Sequence, residues 1–106
     1  MPLELFYLPS YERCVKRLGH AEKRITGLVV LALWEYFKPG APAGAAPFIA
    51  HLEGRAYRLV FKKLEGAVWE AYIEGHVRVL TRLQENRHFL VFAGNHDQVR
   101  RFLKES

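Results

Sequence analysis

Apolar residues in this chain recur at helical spacing up to about residue 37 and at extended spacing from about residue 57, with a segment between that suits neither. That switch of period restricts the fold more than any other feature. Tyr11, Cys14, Val15 and Leu18 share one helix face, and Gly19 is placed to end that helix, with Ser10 ahead of it as N-cap. From His20 to Phe37 the positions Ile25, Leu28, Val29, Ala32, Leu33 and Tyr36 repeat the spacing, so a second, longer helix follows almost directly and the pair forms a helical hairpin. Lys38 to Pro47 holds three prolines and two glycines among small residues, which can neither fill a core nor hold a helix, and reads as a loop.

Beyond it lie four extended runs: Tyr57–Leu64, Val68–Ile73, Val77–Leu83 and His88–Ala93. Glu65-Gly66, Glu74-Gly75 and Gln84-Glu85-Asn86 separate them, as in an antiparallel meander. Leu3 to Leu8, apolar and aromatic before Pro9, reads as a first strand, and Asp97 to Lys104 as a short terminal helix. Helices segregated from strands in this way predict an α+β fold: an N-terminal strand and helical hairpin packed on an antiparallel β-meander with a short C-terminal helix, in one domain over residues 1–106.

Such a sheet covers one face with its helices and leaves the other for a ligand. Counting by twos puts Arg58, Lys62, Glu70, Tyr72, Arg78 and Arg82 on the free face, and Tyr57, Leu59, Phe61, Trp69, Ala71, Ile73, Val77, Val79 and Leu83 on the covered one. Charges also mark the wet side of any half-exposed sheet. Trp34 and Trp69, at apolar-face positions, are expected in the core.

The net charge of +5 is unevenly placed. Residues 1–53 carry six basic and five acidic side chains, an excess of +1, and residues 54–106 carry ten and six, an excess of +4. A polyanionic partner suits that balance, although mild basicity also serves solubility alone. The lone Cys14 excludes an internal disulfide and a multi-cysteine zinc site, and His20, His51, His76 and His88 show no metal spacing. With neither a signal-peptide pattern nor about 20 unbroken apolar residues, the chain is expected in a reducing cytoplasm and away from membranes.

Three local patterns, Gly66-Ala67-Val68-Trp69-Glu70, Val77-Arg78-Val79-Leu80 and Phe92-Ala93-Gly94-Asn95-His96-Asp97-Gln98-Val99, together with the order of elements from Leu3 to Leu103, resemble the RelE/ParE toxin superfamily. The resemblance implies a ribosome-dependent messenger-RNA endonuclease, the toxin of a toxin–antitoxin pair, that needs no metal or other cofactor and is held inactive by an antitoxin protein. In such enzymes the ribose 2′-hydroxyl attacks the adjacent phosphate, a step that asks for a base, an acid and cations on the phosphorane. By position, Arg78 holds the scissile phosphate, Glu70 activates the hydroxyl and His96 acts on the leaving group, imidazole suiting proton transfer near neutral pH. Arg58, Lys62, Lys63, Arg82, Arg100 and Arg101 are the cations expected to bind RNA.

Two alternatives stay open at these positions: Glu70 as a structural cross-strand partner of Arg78, and His96-Asp97 as a helix cap. The chain departs from the family at Arg100-Arg101, where several active members carry a tyrosine just after the valine of the last helix. A gyrase-inhibiting relative, or an RNA-binding one without toxicity, would keep the same architecture.

Overall fold

The computed structural model describes residues 4–36, 48–73, 77–85 and 87–105. The expected Pro/Gly loop at Lys38–Pro47 and the Glu74-Gly75 linker lie outside them, as do Leu3, Phe37, His76 and Asn86. Nine elements follow in order: β1 (Glu4–Tyr7), α1 (Pro9–Arg17), α2 (His20–Tyr36), β2 (Phe48–Leu52), β3 (Arg55–Glu65), β4 (Val68–Tyr72), β5 (Arg78–Gln84), β6 (Arg87–Gly94) and α3 (His96–Glu105). The strands form one curled sheet in the order β1-β6-β5-β4-β3-β2, in which β1 runs parallel to β6 and every other pair is antiparallel. The α+β expectation holds.

Local chemistry explains the helix boundaries. Pro9 at the start of α1 has its φ pre-set for a helix and lacks only an N–H that would be unpaired there, and Glu12 early with Lys16 and Arg17 late suit the helix dipole. Ser10 does not cap this helix: Leu8 occupies the N-cap, and the Ser10 hydroxyl donates to the Val91 carbonyl at 2.7 Å. That carbonyl is available because β6 bulges at Val91, which is left out between the Leu80–Phe92 and Thr81–Leu90 pairs. Leu18, extended, ends α1, and the Glu22 carboxylate accepts the Gly19 N–H at 3.3 Å as α2 begins.

The core lies between α2 and the sheet. Leu28, Val29, Ala32 and Leu33 pack with Leu59, Ala71, Val79, Leu90 and Ala93, joined from α1 by Tyr11. Trp34 is not among them. It is 45% exposed, because it sits a turn from Leu31 and two turns from Gly27 on the outer stripe of α2 rather than on the Val29–Leu33 face. Trp69 is half-buried and stacks on Phe61 with ring centroids 4.9 Å apart. The sequence reading missed β2, which joins β3 through the two-residue turn Glu53-Gly54. Both turn residues have positive φ, 51° and 77°, the hairpin turn that matches strand twist. On the sheet's second face, α3 covers one end, where Phe102 meets Phe92 edge-on at 4.5 Å and Val99 is buried.

Candidate functional site

Beside α3, the second sheet face carries a compact cluster of charge. Lys62 on β3 is directly opposite Glu70 on β4, and Glu70 is opposite Leu80 on β5, so Glu70 occupies the middle of a three-strand row. Glu70 is only 4% exposed. Its Oε1 lies 3.7 Å from Lys62 Nζ and 3.8 Å from Arg78 Nη1, attractive contacts that are both too long for hydrogen bonds. The Arg78 guanidinium is stacked on Tyr72, with Cζ 3.6 Å from the ring centroid, and Lys62 Nζ is 6.0 Å from the same ring.

Arg78 differs from the open surface arginine the alternation suggests. Its side chain is 19% exposed, and its Nε and Nη1 are buried with no hydrogen-bond acceptor among the described residues. A buried donor without an acceptor costs about 1–3 kcal/mol. A fully paired structural ion pair would not leave two such donors, whereas an incoming anionic oxygen, with a small shift of Glu70, would satisfy them.

Arg78 pairs with Gly94, the last residue of β6, and the chain turns there at once into α3. Asn95 caps that helix: its Oδ1 accepts the Gln98 N–H at 2.8 Å, and Gln98 Oε1 accepts the Asn95 N–H at 2.8 Å. His96 and Asp97 therefore open the helix without capping it. A Cβ on Gly94 would meet Gln98 Oε1 at 2.8 Å and Phe92 at 3.0 Å, so a side chain there would force Gln98 and Phe92 to shift. His96, exposed at the first position of α3, stands two residues past the strand partner of Arg78.

The remaining expected cations divide by location. Arg58 and Arg82 are exposed farther along the same face, opposite Ile49 and Val68. Lys63 pairs with Trp69, one step out of phase with Lys62, so its side chain belongs to the helix-covered side. Arg100 and Arg101 lie on α3, where both line a shallow cleft with Asp97 and Lys104. Sequence reasoning had Tyr72 on this face but missed its part as the platform under Arg78. The signal was its two-residue offset from Glu70. Among the described residues no group of three or more His, Cys, Asp or Glu side chains could hold a metal ion, and no helix is long and apolar enough to cross a membrane.

No family model matches the chain. No curated protein matches it either. Among solved structures it is similar to the crystal structure of a copper-bound point mutant of a toxin from Helicobacter pylori, with a TM-score of 0.50 and 16% sequence identity over 92% of this chain and 98% of that one. At that identity the likeness speaks for the fold alone.

Proposed function

We propose that this protein is the toxin of a toxin–antitoxin pair, a RelE-like endonuclease that cuts messenger RNA in the ribosomal A site in the cytoplasm without a metal and is silenced by an antitoxin protein. The observation that carries this reading is Arg78, with two buried donors lacking acceptors, beside Glu70 and next to the turn that presents His96. In the reaction Glu70 takes the proton from the 2′-hydroxyl as its oxygen attacks phosphorus. Arg78 stabilises the added charge on the phosphorane. His96 gives a proton to the departing 5′-oxygen, leaving a 2′,3′-cyclic phosphate and a 5′-hydroxyl. Lys62 adds positive charge at the reacting phosphate, and Arg58, Arg82, Arg100 and Arg101 hold flanking phosphates. Lys63, on the other side of the sheet, is left with a peripheral part.

Induced expression without an antitoxin is expected to arrest growth by stopping translation, with messages cut within codons on the ribosome. Continued protein synthesis accompanied by DNA-supercoiling defects would transfer the protein to the gyrase-inhibiting class.

A further inference from the structure

A cleft of about 430 Å³ opens between α1 and α3 beyond the end of β1, away from the Glu70–Arg78 cluster. Arg13 and Arg17 line it from α1 and Arg101 from α3, above a floor that includes Phe92 and Phe102. Both walls are fastened to consecutive residues of β6. The Ser10 hydroxyl ties the first turn of α1 to the Val91 carbonyl, and Phe102 holds α3 against Phe92. The cleft is thus preformed, which lowers the ordering cost of filling it.

Its charge is unusual for a resting surface. Arg13 and Arg17 are one helical turn apart, where like charges repel, and Arg101 faces the same space. Among the described residues none of the three forms an ion pair, even though Glu105 also lines the cleft. Three guanidinium groups lining one cleft, none of them ion-paired among the described residues, suit an anion, and their planar forks match phosphate oxygens.

The identity of the anion follows from what lies alongside. Arg101 also lines the neighbouring cleft with Arg100 and Lys104, so the cationic surface continues along α3 instead of ending at one spot. The start of that helix carries His96. A polyanion leaving the cleavage cluster and passing over α3 would reach the arginine cleft, where the aromatic floor admits a base beside the phosphate.

We infer that the α1–α3 cleft is a second RNA site, taking a backbone phosphate of the bound strand on Arg13, Arg17 and Arg101. This rests on the RNA reading of the sheet face but concerns different residues. The test is equilibrium binding of a single-stranded oligouridylate to the free protein across a salt series, with melting curves to show that each variant is folded. Each phosphate contact on a single strand contributes about 0.7 to the slope of log K against log salt, so the Arg13→Gln/Arg17→Gln variant, which gives up that one phosphate, should have a slope shallower by roughly 0.7. Glu105→Gln removes the carboxylate from the cleft and should tighten binding several-fold, a gain that lost packing cannot produce.

An unchanged slope in the double variant overturns the inference, even where Arg78→Ala abolishes cleavage on ribosomes and so upholds the nuclease. A double variant that loses affinity for polyglutamate but not for RNA also overturns it, and gives the cleft to an acidic protein partner. A shallower slope in a protein whose wild type cuts no message supports the cleft while removing the nuclease.

Discussion

Replacing Arg78 by alanine separates a catalytic cluster from a structural one, because its effects on stability nearly cancel while its effect on chemistry does not. The substitution removes the stack on Tyr72 at 3.6 Å, worth about 1–2 kcal/mol when partly desolvated, and the attraction to Glu70 at 3.8 Å. Against that, it deletes two buried donors without acceptors, each costing about 1–3 kcal/mol. Glu70 keeps Lys62 at 3.7 Å, so it is not stranded without a cation. The net change in stability should stay within about 2 kcal/mol, a Tm shift of no more than about 16 °C at about 4–8 °C per kcal/mol for a domain of this size. Loss of the charge that stabilises the phosphorane should slow cleavage about 100-fold or more, near 2.7 kcal/mol in the barrier. Single-turnover cleavage of messenger RNA on programmed ribosomes, beside circular dichroism melting, measures both. Arg78→Lys, which keeps the charge but loses the planar fork, should fall between wild type and alanine. Wild-type cutting by an Arg78→Ala protein that melts normally would refute the assignment, and a Tm drop beyond 20 °C would make the cluster a structural support.

Three other outcomes follow from particular contacts. His96→Ala should slow cleavage of ordinary RNA but regain much of the loss on a 5′-thio leaving group, which needs no proton; equal slowing on both substrates would remove His96 as the acid. His88 is buried against Phe61 with Thr81 Oγ1 3.3 Å from Nδ1, and burial lowers its pKa to about 4. Above the unfolded-state value near 6.5 neither state is protonated; as pH falls from there to about 4 the unfolded chain takes a proton that the native state refuses, so stability should drop by up to about 3 kcal/mol and then level off. Thermal melts between pH 7.5 and 4 should show that slope in wild type and lack it in His88→Gln. Gly94→Ala should cost about 1–3 kcal/mol, because the new Cβ collides with Gln98 and Phe92, whereas Asn95→Ala should cost about 1 kcal/mol through loss of the cap alone. Equal melting temperatures for wild type and Gly94→Ala would show that the turn into α3 relaxes freely.

Where a single period dominated, the sequence was legible: the helical spacing through α2, the alternation in β3, β4 and β5, and the glycine that ends β6 all placed their elements within a few residues. The parts that escaped depend on neighbours distant in the chain. Ser10 has the chemistry of a cap, but the bulge at Val91 offers its hydroxyl a tertiary acceptor instead. β2 is a short run whose pairing becomes evident only through the Glu53-Gly54 turn. Trp34 lies on an outer stripe that composition cannot tell from the inner one. In the site, alternation correctly put Lys62, Glu70, Tyr72 and Arg78 on one face. The stacking of Arg78 on Tyr72 and its burial follow from register and from α3, neither of which a strand pattern encodes.

The pairing of β1 with β6 bears on how the molecule is made. Glu4 pairs with Arg87 and Tyr7 with Leu90, so the first strand to leave the ribosome has no partner until the last strand has followed it. Closing so long a stretch of chain is slow compared with forming the local hairpins between them. The same late segment completes the row beside Arg78 and then supplies His96. A nascent chain therefore lacks both a closed sheet and an assembled cluster until its last strand is available.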